Sequence, residues 1–242
     1  MKCFRSICIV VISTLFVMSS ALANETLLNH VRLTSQAMSA FYMQGLSQGN
    51  EKYLREFSRF REQSEILLKQ YVRENGEQGE QLLHRWQGFS GELKLEYQKD
   101  YGWEVDARIR QDFRTYLSDI YQLVDKQKSS YTNVEDQKLL TMVQVEALSA
   151  RFFDISSTYN GTESLFSGDM RKFNPQSISE DVKSRLSSLA NSSDNTSLKN
   201  GLTGAQSKWK FVENSVVNYQ KKSAYFVVYA TKYKIHQVLL QR

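Results

Sequence analysis

The stretch Arg32-Leu-Thr-Ser-Gln-Ala-Met-Ser-Ala-Phe-Tyr-Met43 decides the fold, because a degenerate copy of it returns 110 residues later. That copy is Thr141-Met-Val-Gln-Val-Glu-Ala-Leu-Ser-Ala-Arg-Phe-Phe153. Aligning Gln36 with Glu146 gives three identities over eight residues, and most of the other positions stay apolar. A recurring segment of this kind indicates one structural unit that is used twice.

Further landmarks recur in the same order along the chain. They are Leu54-Arg-Glu-Phe57 with Met170-Arg-Lys-Phe173, Trp86 with Trp209, and Phe113-Arg-Thr-Tyr116 with Phe226-Val-Val-Tyr229. The sequence therefore predicts two copies of one unit, at residues 24–128 and 129–242.

The N-terminus has the pattern of a secretory signal peptide. Lys2 and Arg5 precede an uncharged apolar run, and Ala21-Leu-Ala23 has the small-x-small form of a signal-peptidase site. We expect residues 1–23 to be removed near Ala23/Asn24 and the mature chain to be periplasmic or secreted. A retained anchor is the alternative, but the apolar run is short for a membrane span.

Composition narrows the function classes. Both cysteines lie within the expected signal peptide, so the mature chain is predicted to have no disulfide and no Cys-ligated metal. Removing Lys2 and Arg5 lowers the Lys and Arg count from 31 to 29 against 26 acidic residues, which leaves a net charge of +3. This charge is too small and too evenly spread to indicate nucleic-acid binding. No mature segment is apolar enough to predict a membrane span.

Apolar residues recur at helical spacing along the whole mature chain. The cleanest pattern belongs to a fourth helix starting near Val105, whose apolar residues step by 4, 3, 4 and 3: Ile109, Phe113, Tyr116, Ile120 and Leu123. Such a seam is typical of antiparallel helices in a bundle. The predicted fold class is all-α, with two tandem four-helix bundles of up-down helices.

Helix boundaries follow from capping patterns. The third helix is predicted to run to about Lys99, and no segment alternates with period two. Residues 128–133 separate the two halves, unless the fourth helix runs straight into the fifth; the capping box Thr132-Asn-Val-Glu135 favours a separate start. We expect the fifth helix to end at Tyr159-Asn-Gly161. The sixth is expected to start at Asn174-Pro175 and the box Ser177-Ile-Ser-Glu180.

The chain lacks the motifs of known catalytic chemistries. It contains no Gly-rich phosphate loop and no Gly-x-Ser-x-Gly elbow. His30, His84 and His236 show no metal-binding spacing, so we interpret them as surface or core-edge side chains. We predict no enzyme activity, no catalytic residue, no metal site and no cofactor.

Arg32 is the one residue that predicts a ligand site. Ser35 and Gln36 lie three and four residues after it, so the guanidinium, hydroxyl and amide are expected to share one helix face. A guanidinium is a planar donor fork suited to small oxyanions such as nitrate or a carboxylate. The alternative is an exposed arginine that contacts only a helix neighbour.

The same stretch resembles the signature of the PilJ-type domain, the N-terminal domain of type IV pili methyl-accepting chemotaxis transducers. That domain is similar to the periplasmic domain of nitrate/nitrite sensor kinases. The matching residues are Arg32, Ser35, Gln36, Met38 and Tyr42, with Leu33 as an apolar stand-in.

The resemblance extends over nearly the whole mature chain. Standalone secreted members look like two copies, and Lys208-Trp-Lys-Phe-Val212 and Thr231-Lys-Tyr-Lys-Ile235 match helices of the second copy. In the sensor kinases, paired arginines from two subunits hold the anion. Here the other arginine positions are Ala37, Met142 and Ala147, so only Arg32 carries over.

What the resemblance implies is a periplasmic sensory module that binds a small anion and acts through a membrane receptor or sensor protein. A shared anion site would imply a homodimer that brings two Arg32 side chains together. The competing hypothesis is a structural or protein-interaction bundle with no small-molecule ligand.

Overall fold

The computed structural model describes residues 25–158, 173–218 and 224–241. The expected signal peptide, the expected end of the fifth helix at 159–161 and most of the landmark at 170–173 lie outside the described residues.

Helices dominate the described residues, which confirms the predicted all-α class. The elements are α1 (25–46), α2 (Glu51–Asn75), α3 (Glu77–Ser90), β1 (Glu96–Gln98), β2 (Gly102–Glu104), α4 (Ala107–Lys126), α5 (Val134–Ser156), α6 (Pro175–Ser192), α7 (Thr196–Asn218) and α8 (Tyr225–Leu239).

The third helix is shorter than predicted, and a hairpin follows it. The helix ends at Ser90, and β1 and β2 then pair antiparallel with Tyr97 opposite Trp103. The prediction that the third helix runs to about Lys99 was therefore wrong. Three-residue strands give too few alternations for a periodicity signal, and the hairpin is held by Trp103, which packs against Gly49 at the end of α1.

Helix starts depend on asparagine caps in place of the predicted serine and threonine boxes. Asn133 caps α5 by accepting a hydrogen bond from the Asp136 amide at 2.8 Å. Asn174 caps α6 in the same way, with Pro175 in the first turn. A short 3₁₀ turn at Lys128–Ser130 separates α4 from α5, so the two helices are not continuous.

The two helices that carry the repeated stretch are the most buried elements. On α5 every residue from 138 to 150 is buried. Residues 26–44 of α1 are buried as well, except for a narrow stripe of Asn29, Arg32 and Gln36, which are half-buried. A helix that is buried on nearly all sides lies between neighbours. The short side chains Ala37, Ala40, Ala147 and Ala150 let those neighbours approach closely.

The two central helices contact most of the other helices. His30 of α1 contacts the Ser64 carbonyl of α2 at 2.9 Å and the Tyr116 hydroxyl of α4 at 2.8 Å. Trp86 of α3 is fully buried against Tyr116, with ring centroids 5.3 Å apart. Helix α5 packs against α6, α7 and α8, with Trp209 buried among them. No helix in the described ranges has the length and hydropathy of a membrane span.

The turn at Gly49 gives a direct test of the hairpin packing. Gly49 has φ +80°, and a Cβ there would lie 2.4 Å from the Trp103 ring. Gly49→Ala should lower the free energy of unfolding by about 1–3 kcal/mol, because strain and a clash add. The matched control is Gly88→Ala on the exposed side of α3, where a Cβ meets nothing within 4 Å. That change should be neutral or stabilising in urea unfolding. Equal effects of the two substitutions on the free energy of unfolding would contradict the packing of Trp103 against Gly49.

Candidate functional site

Side chains from α1, α5 and α8 meet in a charged cluster. It consists of Arg32 and Gln36 from α1, Glu146 from α5, and Lys232 and His236 from α8, with Arg32 joined to it through the charge of Glu146. The half-buried stripe of α1 connects this cluster to solvent. The cluster is therefore buried except along this partly exposed stripe of α1.

Glu146 is the centre of the cluster and is only 1% exposed. Its Oε2 atom lies 2.6 Å from Lys232 Nζ, and its Oε1 atom accepts a hydrogen bond from Gln36 Nε2 at 3.2 Å. Burial alone would raise the pKa of Glu146, but the Lys232 charge and the hydrogen bonds from Lys232 and Gln36 outweigh it and lower the pKa. Glu146 is therefore an ionised carboxylate inside the protein.

Lys232 is also buried, and its ammonium group has two partners. Besides Glu146 it lies over the Tyr229 ring, with Nζ 4.6 Å from the ring centroid. The pair has the short distance and good geometry that a buried salt bridge needs to offset its desolvation.

His236 stays neutral in this environment. Burial lowers its pKa to about 4, and Glu146, although it opposes this shift, does not overcome it. Its Nε2 atom lies 3.3 Å from Glu146 Oε1, but it has no hydrogen-bond partner among the described residues. Gln36 Oε1 is likewise buried without a partner there. An ordered water or a bound ion is one way in which such atoms are satisfied in native proteins.

Arg32 gives the cluster its excess positive charge. Its Nε and Nη2 atoms donate to Asn29 Oδ1 at 3.3 and 3.0 Å. Burial lowers the pKa of Arg32, and the Glu146 charge opposes that shift, yet a guanidinium remains protonated in proteins. With Lys232 positive, Glu146 negative and His236 neutral, the cluster carries one net positive charge. Arg32 Nη1 makes no hydrogen bond within the described part of the chain and is able to donate to a ligand.

The structure brings together two of the three residues predicted from sequence. Arg32 and Gln36 are in the cluster, whereas Ser35 is fully buried and donates its hydroxyl to the Val31 carbonyl of its own helix at 2.8 Å. A helical serine or threonine often makes this bond to the preceding turn, which removes it from a ligand site.

Sequence reasoning missed Glu146, Lys232 and His236. The repeat contained a signal for the first, since Glu146 is the position that aligns with Gln36. Lys232 and His236 are four residues apart and so share one helix face, which is a weaker signal. The interpretation of His30 and His236 as surface or core-edge side chains was wrong, because their exposed fractions are 0% and 4%.

Charged groups beside two cavities elsewhere in the protein are already paired. Asp154 pairs with Arg110 and Arg114 beside a cavity of about 40 Å³ between α1, α4 and α5, and Glu92 pairs with Arg108 beside an open groove at the hairpin. No group of three or more potential metal ligands occurs within the described ranges. Comparison of the chain with protein-family models, curated proteins and solved structures gave no match.

The buried ion pair makes a testable contribution to stability. Glu146→Gln leaves the Lys232 ammonium buried without a counter-charge, so the free energy of unfolding should fall by about 3–5 kcal/mol. Adding Lys232→Met should restore much of that loss. The control is Glu180→Gln, which breaks an exposed pair with Lys183 on α6 and should change little in urea unfolding. A small effect of Glu146→Gln alone on the free energy of unfolding would contradict a buried ion pair between Glu146 and Lys232.

The neutral histidine predicts a pH dependence. Since the pKa of His236 is lowered to about 4 from 6.5, the unfolded chain binds a proton that the folded chain excludes between those values. Stability should therefore be complete above pH 6.5 and fall as the pH drops to 4, by about 3 kcal/mol from this group. The pKa of buried His30 is also lowered to about 4, so His236→Gln should remove about half of this loss of unfolding free energy at low pH. His84→Gln, at an exposed position of α3, should leave the profile unchanged.

Proposed function

We propose that this chain is an exported, non-enzymatic sensory module that binds a small anion at the Arg32 cluster and acts through a membrane protein partner. The observation that carries the proposal is the excess positive charge of the cluster, with Arg32 Nη1 available as a donor beside the solvent-reaching stripe of α1. A planar anion with one negative charge would neutralise the cluster and use the guanidinium fork.

The chemistry of the cluster narrows the ligand class. Glu146 already supplies one negative charge. A divalent anion would be repelled by this carboxylate and would leave the cluster with a net negative charge. A monovalent oxyanion such as nitrate or nitrite, or a small monocarboxylate, matches the single excess charge. The resemblance of the Arg32 stretch to the PilJ-type domain supports the same class.

The proposal includes two tandem four-helix units with their boundary near residue 128. Gln36 and Glu146 occupy equivalent positions of the repeated stretch, and they are hydrogen-bonded to each other at 3.2 Å. Contact between equivalent positions is what a two-fold relation between two units produces. The second unit would then supply in one chain the contacts that a second subunit supplies in a homodimer, and Glu146 and Lys232 would replace a second arginine.

A structural or protein-interaction bundle is the second candidate. It is favoured by the Glu146 carboxylate, which binds Lys232 from inside the protein and gives the cluster a role in holding α5 to α8. In this case the charged side chains join helices, and no ligand enters.

Thermal unfolding of the full chain with nitrate, nitrite, acetate and sulfate tests the two candidates, with chloride added to keep the ionic strength constant. A monovalent ligand at 100 times its Kd should stabilise the protein by about 2.7 kcal/mol, which raises Tm by roughly 5–10 °C. Arg32→Ala should abolish the shift. Arg55→Ala, at an exposed arginine of α2, should retain it.

The outcomes separate the proposals. A shift that survives Arg32→Ala places the anion elsewhere and overturns the site. No shift with any anion overturns anion sensing and leaves the interaction bundle as the function.

A further inference from the structure

Helix α8 has an apolar face that no described element covers. The residues of this face, named the α8 stripe, step by 4, 3, 4 and 3: Phe226, Ala230, Tyr233, Gln237 and Leu240. The Phe226, Tyr233 and Leu240 side chains are 51%, 63% and 64% exposed. This spacing is that of the seam along which two helices pack in a coiled coil.

The opposite face of α8 is already used. Val228, Ile235 and Leu239 are buried where α8 packs against α5 and α7. The helix is therefore apolar on two sides, although one side suffices to hold it in the bundle. A helix with this distribution is normally covered on both sides.

Charge indicates what kind of partner covers the stripe. Between Tyr225 and Leu239 the helix contains no acidic residue, and two of its polar side chains bind carboxylates from other helices. Lys232 pairs with Glu146, and the Tyr229 hydroxyl donates to Glu56 at 2.5 Å. Lys234 lies on the exposed side next to the stripe and has no ion pair within the described residues. A carboxylate from a partner would fill the same role for Lys234.

A second copy of the chain fits the stripe less well. Antiparallel packing of two α8 helices about Tyr233 would bring the two Lys234 side chains close to each other. Like charges at the flank of a helix pair oppose association. An acidic helix meets no such repulsion.

We propose that the α8 stripe docks an amphipathic helix of another protein, with an apolar seam at the same spacing and Asp or Glu residues on its flanks. This inference rests on the proposed function only in that the chain acts through a protein partner, and it does not require an anion at Arg32.

Two synthetic helical peptides of about 20 residues test the docking, since helices much shorter than this are marginal in water. Both carry the same leucine seam, one with Glu and one with Lys on its flanks. Fluorescence anisotropy with the full chain should show the Glu peptide binding about tenfold more tightly. Tyr233→Asp should weaken that binding at least fivefold, as loss of a central aromatic anchor does. Lys234→Glu should reverse the order of the two peptides.

The matched control is Ile66→Asp, which introduces the same charge at an apolar side chain of α2 that is 58% exposed. It should leave the binding of both peptides unchanged. Equal binding of both peptides, or equal losses in Tyr233→Asp and Ile66→Asp, overturns the docking site. A dimer in sedimentation that Tyr233→Asp dissociates also overturns it, because a second copy is then the occupant. Anion binding is measured separately by the Tm shift, so either proposal can fail without the other.

Discussion

The buried ion pair between Glu146 and Lys232 is the interaction on which the packing of α8 against α5 depends. Glu146 lies on α5, and the hydrogen bond that its carboxylate accepts from Gln36 reaches α1. Removing one charge leaves the other buried and uncompensated, so the pair has to form whenever α8 packs on α5. The position of α8 is thereby fixed relative to α1.

This constraint explains the unusual polarity of α1 and α5. Both are buried on nearly all sides, yet each contains serine, threonine or charged residues that an apolar core would exclude. Hydroxyls such as that of Ser35 are satisfied within their own helix, and the charged groups are satisfied across helices. Small side chains bring the backbones close, and the polar groups then select one register of the helices among several that apolar packing alone would accept.

Helix α8 links the candidate ligand site to the surface of the protein. One face supplies Lys232 and His236 to the cluster, and a neighbouring face presents the α8 stripe to solvent. A ligand that changed the balance of charge around Glu146 would act on the helix that carries the proposed docking surface. The two sites are joined by a single rigid element about 22 Å long, at 1.5 Å per residue over 15 residues.

The sequence by itself determined the helical class and most helix positions, because periodic apolar spacing is a property of local sequence. It did not determine the hairpin, whose strands are too short to be periodic and depend on the distant contact of Trp103 with Gly49. Nor did it predict that the Ser35 hydroxyl bonds within its own helix. It also did not predict that Glu146, Lys232 and His236 lie near Arg32. Residues about 200 positions apart meet only after helices pack, and the energy of a buried charge depends on that packing and on the solvent it excludes.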